Sequence, residues 1–329
     1  MMVNLAIVGL GRWGQNLVDS VEGSQTVRFT AAMTRTPSRV SDYCARKNIA
    51  LSDDYQSVLH DDAIDAVVIA TPHTQHFDQI LMAAEAGKHV FCEKPFTLTA
   101  GQARTALETL AEQDLKVAIG HNRRFAPNTL ALQSALTEHA LGQPIHVDGH
   151  FNADLGMSAG QWRDSRIESP AGGMTSLGIH VIDAFVQLFG RVSDVQAQSR
   201  RIAIGIDIDD STLVRFNFEN GCTGHLTTIA ATRSLWQLRV FGTGGWAECT
   251  NLDHYAFHPL DGDPVLSSYP GFDYPGSATL KAALEAFAAD INGETPFPIS
   301  PEEILHATEV LEAITISADT GKTVEIKDM

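Results

Sequence analysis

Leu5-Ala6-Ile7-Val8-Gly9-Leu10-Gly11-Arg12-Trp13-Gly14 is the stretch that decides the fold. Four apolar residues run straight into glycines spaced Gly-x-Gly-x-x-Gly. A short apolar run bounded by turn residues reads as a strand buried on both faces of a parallel sheet. Gly9 permits a tight turn, Gly11 lets backbone approach a pyrophosphate, and Gly14 lets helix and strand pack closely. The helix that follows points its N-terminus at the anion. By itself the motif is weak. Its context strengthens it, because a second strand, Val27 to Met33, ends about 20 residues on.

The pattern continues outward from this turn. Residues 65–70, 89–92 and 116–119 are further short apolar runs, and helical segments lie between them at 75–87 and 99–113. Alternation of strand and helix predicts a doubly wound α/β domain over residues 1–121. After residue 121 strand-like segments follow one another, at 145–152, 195–204, 211–218, 223–231 and 236–242. Val214, Phe216 and Phe218 alternate with Arg215 and Asn217. Helices are expected near 127–138, 175–189, 278–291 and 301–317. Residues 122–329 therefore read as an α+β domain built on a large, mostly antiparallel open sheet, with a surface loop from Asp261 to Gly276.

Composition narrows the function. The 329 residues carry 23 basic and 40 acidic side chains, a formal charge of −17. Such a surface disfavours nucleic acid and anionic membranes, which require basic patches. No run approaches the ~18 apolar residues of a membrane span. Cys44, Cys92, Cys222 and Cys249 form no C-x-x-C pair and read as reduced thiols, so a cytoplasmic protein is expected. His73-x-x-His76 and His146-x-x-x-His150 are the two spacings with metal-site character. Residues i and i+4 of a strand lie ~13 Å apart, and no carboxylate or Cys completes either set, so no metal is expected.

The end of the second strand addresses the cofactor. A site that binds ribose hydroxyls through a carboxylate has Asp or Glu there. This chain has Thr34, flanked by Arg35 and Arg39, with Arg12 in the glycine turn. Guanidinium groups stack on adenine and pair with a 2′-phosphate. NADP is the expected preference, with NAD still possible.

These landmarks resemble the Gfo/Idh/MocA oxidoreductases. The match runs in order through Gly9–Gly14, Thr71-Pro72 with His76, Glu93-Lys94-Pro95, and Ala171-Gly172-Gly173 leading to Gly178-x-His180-x-x-Asp183. Asn122-x-Arg124-Phe125-x-Pro127 resembles the family's entry into its second domain. The resemblance implies a Rossmann domain and hydride transfer at a hydroxyl or carbonyl carbon of a sugar, polyol or related compound. It implies that Thr71, Pro72, His73, His76, Glu93 and Lys94 line the nicotinamide side, with Lys94 as first proton donor/acceptor or alkoxide stabiliser. It implies His180 as acid/base partner.

The helix period sets Ser176, His180, Asp183 and Gln187 on one polar stripe, opposite Leu177, Val181, Ala184, Phe185 and Leu188. Asp183 would then orient His180. Arg123 or Arg124, Trp162 and Arg163 are substrate-side candidates, with Ser176 and Asp183 beside them. Ser176 departs from the family, which often has Asp there. That departure keeps open a second reading, an NADP-binding sensor without turnover. The family is often dimeric or tetrameric, so a homodimer or homotetramer is expected.

Overall fold

A computed structural model describes residues 1–272 and 277–328. The chain divides into two compact units. The first comprises residues 1–97, 101–122 and 275–304, and the second residues 98–100, 123–274 and 305–329.

The first unit holds six parallel strands, β1 (Val3–Val8), β2 (Val27–Met33), β3 (Ala50–Ser52), β4 (Ala66–Ile69), β5 (His89–Cys92) and β6 (Val117–Ile119). Their order is β3-β2-β1-β4-β5-β6, so the chain reverses its winding direction between β1 and β4. In doubly wound sheets ligands bind at the C-terminal strand ends beside that reversal. Leu5, Ala6, Ile7 and Val8 of β1 and all four residues of β4 are buried, as expected for strands covered on both faces. The helices are α1 (Arg12–Ser20), α2 (Ser41–Lys47), α3 (Tyr55–Leu59), α4 (His76–Glu85) and α5 (Ala100–Glu112). The Asp54 carboxylate caps α3, accepting from the backbone N–H groups of Gln56 and Ser57.

A sixth helix joins this unit from far along the chain. α8 (Ser277–Ile291) packs against α1, β2 and β5, and Phe287 sets its ring edge on Phe91 at 5.8 Å between centroids. A single cut after residue 121 and the two compact units therefore differ at this helix. An apolar stripe marks a helix as packed but carries no record of what it packs on.

In the second unit, α6 (Pro127–Thr137), α7 (Ile179–Phe189) and α9 (Pro301–Thr320, from residue 305 onward) accompany a nine-stranded sheet. Its strands are β7 (Pro144–Asn152), β8 (Val192–Arg200), β9 (Ser211–Phe218), β10 (Thr223–Ile229), β11 (Leu235–Gly242), β12 (Gly245–Thr250), β13 (His254–Pro259), β14 (Val265–Ser268) and β15 (Val324–Glu325). The order is β14-β13-β12-β11-β7-β10-β9-β8-β15. Every pairing is antiparallel except that of β7 with β10.

One face of this sheet is the core face. Val147, Phe151, Val214, Phe216, Leu226, Leu238 and Val240 join Val181, Ile182 and Phe185 of α7 and Val310, Leu311 and Ile314 of α9. A Cβ on Gly149 would lie 2.4 Å from Val181, so glycine lets α7 lie directly on β7. The other face carries His146, Asp148, Arg215, His225 and Arg239, all partly or fully exposed.

Three sequence expectations change here. β14 lies within the stretch read as a loop from Asp261 to Gly276, where it pairs with β13; residues 273–276 of that stretch lie outside the described residues. β3, β12, β13 and β15 are strands that the sequence pattern does not announce. The third concerns the 176–189 helix, which is not one-sided: Ser176, His180 and Asp183 of its polar stripe are as buried as most of the apolar stripe opposite. All four cysteines are buried free thiols. Among the described residues no helix is long and apolar enough to cross a membrane.

Candidate active site

The glycine turn is built as its spacing demands. Gly9 has φ +97°, and a Cβ there would lie 2.6 Å from the Ala70 carbonyl oxygen, across the β1–β4 reversal. A Cβ on Gly14 would lie 2.3 Å from the Gly9 carbonyl oxygen. These two positions exclude any side chain. Gly11 is different: nothing lies within 4 Å of its would-be Cβ, and it is exposed. It is also the N-cap of α1, with no side-chain cap and no acid in the first turn. The start of α1 thus carries no side-chain cap and presents a favourable dipole for an anion. The indole Nε1–H of Trp13 is buried in the same turn and has no hydrogen-bond partner among the described residues. These features fit a dinucleotide cofactor.

At the end of β2, the Thr34 backbone N–H donates to the Ser52 carbonyl at 3.1 Å. Arg12, Arg35 and Arg39 are exposed, and among the described residues none makes an ion pair. No acid occupies the strand end.

The turns after β4 and β5 are tied together by His76. This ring is fully buried. Its Nδ1 lies 2.9 Å from the Pro95 carbonyl oxygen and its Nε2 3.1 Å from the Thr71 carbonyl oxygen. His73 sets its ring edge-on at 5.8 Å. The Thr71 hydroxyl donates to Gln79 at 2.6 Å. His76 therefore holds Thr71-Pro72 against Glu93-Lys94-Pro95, and its nitrogens face the backbone. Glu93 is buried, its carboxylate lying over Gly120, where a Cβ would sit 2.6 Å from Oε1. Lys94 is only half-buried, and the bond between it and Pro95 is cis. Beneath them burial drives the Cys92 thiol well above its ordinary range, so it stays protonated and inert.

The second unit gathers the remaining candidates differently from their linear order. Arg124 and Asp183 form a bidentate pair. Arg124 Nη2 and Nε donate to the Asp183 carboxylate at 2.8 and 3.0 Å, with both side chains about 5% exposed or less. These two substrate-side candidates neutralise each other, joining the segment before α6 to α7. Arg123 packs on two perpendicular aromatic rings, 4.3 Å from the Phe151 centroid and 4.3 Å from that of Trp236. Phe151 also stands 5.8 Å from the His180 ring. His180 thus shares Phe151 as a neighbour with the Arg123 guanidinium.

Ser176 sits in a π-helical turn, Met174–Gly178, that opens into α7. Such turns interrupt the 3.6-residue repeat and recur at functional sites. Trp162 is 39% exposed, and the Arg163 guanidinium lies 4.1 Å from its ring centroid. One face of the indole is therefore already covered.

Phe151, Trp236 and Gly120 do not stand out in the sequence. Two read as ordinary core aromatics and one as a strand-end glycine, and their partners lie 28, 113 and 27 residues away.

Two models of one family match this chain. The oxidoreductase family NAD-binding Rossmann fold spans residues 3–121, and the GFO/IDH/MocA C-terminal domain spans residues 129–248. The chain is 28% identical over 338 aligned positions to the scyllo-inositol 2-dehydrogenase (NAD(+)) of Bacillus subtilis, covering 98% of this chain and 96% of that protein. It is 27% identical to the D-xylose 1-dehydrogenase (NADP(+)) 2 of Haloferax volcanii, covering 98% of each. The chain spans 44% of the length of an uncharacterized oxidoreductase of Schizosaccharomyces pombe, C26H5.09c, with 31% identity over 166 residues. Among solved structures, levoglucosan dehydrogenase in complex with NADH and levoglucosan superposes with a TM-score of 0.89 at 19% identity, over 99% of this chain and 100% of that one. That likeness concerns the fold. With both family models matched in order and the glycine turn, His76 and Glu93-Lys94-Pro95 in place, the chain belongs to the Gfo/Idh/MocA family of NAD(P)-dependent oxidoreductases.

Proposed function

We propose that this protein is an NADP-preferring dehydrogenase or reductase acting on a hydroxyl or carbonyl carbon of a sugar-like or polyol-like small molecule. The observation that carries the reading is the pairing of an open, uncapped helix start at Gly11 with an acid-free β2 end that bears Arg35 and Arg39. Gly9, Gly11, Trp13 and Gly14 would cradle the pyrophosphate, and Arg12, Thr34, Arg35 and Arg39 the 2′-phosphate end. Thr71, Pro72, His73, His76, Glu93 and Lys94 would line the nicotinamide side. The names of two relatives, an inositol and a xylose dehydrogenase, support a polyhydroxylated substrate.

When bound, the nicotinamide supplies the hydride chemistry. The chain itself must move the accompanying proton and stabilise charge on the substrate oxygen. Lys94 is assigned to that oxygen, as proton donor/acceptor and cation. His180 is assigned as acid/base partner, since its imidazole titrates near neutrality in water. Arg124 and Asp183 are recast as positioning residues, because their charges already satisfy each other. Trp162 and Arg163 remain assigned to the substrate side.

A sensor without turnover is the second reading, favoured by Ser176, which offers no carboxylate. Turnover on a panel of aldoses, polyols and keto-sugars with NADP and NAD separates the two. Lys94→Ala and His180→Ala are expected to lower kcat/KM by on the order of 100-fold or more. Losses within about threefold, under roughly 0.7 kcal/mol, would overturn the assignment. Cofactor binding without turnover on any substrate would favour the sensor.

A further inference from the structure

The two histidine pairs read from sequence both lack a third ligand, but the sheet of the second unit supplies His146 with two other partners, Asp148 and His225. β7 and β10 run parallel, with His146 opposite Thr223 and Asp148 opposite His225. Residues i and i+2 of a strand share a face, so His146, Asp148 and His225 converge on the solvent side of the sheet. His146 Nε2 lies 3.1 Å from Asp148 Oδ1, and His225 Nδ1 lies 3.8 Å from the same oxygen. One ligand atom from each of the three residues falls within 4.8 Å of the others. The two imidazole rings stand edge-on with centroids 5.1 Å apart.

We propose that His146, Asp148 and His225 form a binding site for a divalent late transition ion of the Zn²⁺ class. The two separations from Asp148 Oδ1 suit a tetrahedral ion. With metal–ligand bonds of ~2.0–2.1 Å, the ligand–ligand edge is about 3.3 Å, and the two observed edges bracket it. The outer shell is also present. His146 Nδ1 lies 2.7 Å from the Thr223 hydroxyl. When that hydroxyl accepts, Nδ1 holds the ring proton and Nε2 presents its lone pair to the ion, the arrangement metal-binding histidines generally use. Arg239, opposite Asp148 on β11, is drawn away onto Glu248 at 2.7 Å. Arg215 is the cross-strand cation opposite His225, on β9.

Chemistry selects the ion. Two imidazoles and one carboxylate suit Zn²⁺, Ni²⁺ or Cu²⁺, whereas Mg²⁺ and Ca²⁺ need oxygen-rich sets. Water would complete the coordination, because His225 is 53% exposed. Both ligating strands belong to the sheet's one parallel pairing, so a bound ion would bridge β7 to β10. The site lies wholly in the second unit and is independent of the redox assignment.

The test titrates chelator-treated full-length protein with ZnCl2 by calorimetry, and with Co²⁺ by visible absorption. One equivalent of Zn²⁺ and a d–d band of a low-coordinate Co²⁺ site are expected. His225→Ala and Asp148→Asn should each weaken Zn²⁺ binding at least tenfold and abolish the Co²⁺ band. His254→Ala, in another part of the sheet, should leave both unchanged. An exposed side chain makes His225→Ala tolerable to the fold, and its unfolding midpoint without metal, matching wild type, verifies this. Zn²⁺ binding unaltered by either ligand substitution, or absent up to millimolar metal, would overturn the proposal.

Discussion

At the scale of single residues, the glycine turn separates two roles that the motif alone merges. Gly9 is dictated by the fold: a methyl group there would collide with the Ala70 carbonyl, on a backbone at φ +97°. Gly11 meets nothing, so its lack of a side chain serves an incoming ligand. Gly9→Ala should therefore cost stability, roughly 1–3 kcal/mol from overpacking alone, with left-handed backbone strain added. Gly11→Ala should leave the urea midpoint near wild type while weakening NADP binding at least tenfold. Equal losses of stability in both variants would contradict this division. The Arg124–Asp183 pair makes a second residue-scale prediction. Both groups are buried, and removing one partner strands the other charge in a poorly hydrated place. Asp183→Asn should destabilise the chain by about 3–5 kcal/mol, measured by urea unfolding. That these two residues pair with each other is not readable from sequence, since they are 59 residues apart.

At the scale of elements, legibility follows how much of each element's identity is local. β2 and β5 are bounded correctly from sequence, because each is a mostly apolar segment closed by turn residues, β2 alternating at its start with Arg28 exposed and Val27 and Phe29 buried. β3, β14 and β15 are short and at most partly buried, so they carry little alternation to read. α7 shows the opposite failure. Its polar stripe is real, but α7 is buried on that side too, with the Arg124 guanidinium drawn onto Asp183 and Phe151 beside His180. A stripe of hydrogen-bonding groups signals water only when nothing else meets them. Two histidines add a pH-dependent element. His306 of α9 accepts the Val192 N–H on Nε2 at 2.8 Å, while Nδ1 faces Glu309 at 3.2 Å. His89 of β5 accepts the Lys116 N–H at 2.9 Å. Burial is the largest cause lowering the proton affinity of both rings, and for His306 the Glu309 hydrogen bond works against it. Depressed folded-state values mean the unfolded chain binds more protons. The stabilisation is complete above the unfolded value of about 6.5 and drains away as pH falls below it. Urea unfolding at about pH 7.5 and about pH 5.5 should show lower stability at the acid end. His306→Gln should lose less between the two than wild type does. An identical slope in the variant would mean that His306 contributes nothing to the pH dependence.

At the scale of the whole molecule, a chain of charge −17 is proposed to prefer the more anionic of two cofactors. Range resolves the conflict. At 0.1 M salt the Debye length is about 10 Å, so acids spread over a two-unit chain act on a bound phosphate only weakly. Arg12, Arg35 and Arg39 are clustered at neighbouring strand ends and would act at contact distance, where a charge-assisted hydrogen bond is strong. The two fields respond oppositely to salt. Screening a distant acidic field would favour NADP over NAD as salt rises. Screening a contact between guanidinium and 2′-phosphate would favour NAD. The contact is the stronger of the two interactions, so the ratio of NADP to NAD affinity should fall when ionic strength is raised from about 50 mM to about 500 mM. The rest of the two cofactors is identical, and its salt dependence cancels in the ratio. Arg35→Asp should both lower that ratio at low salt and flatten its salt dependence. The measurement is four calorimetric titrations on each protein. A ratio that rises with salt in the wild type, or one that Arg35→Asp leaves unchanged, would mean that these arginines are ordinary solvated charges and that the cofactor preference is set elsewhere.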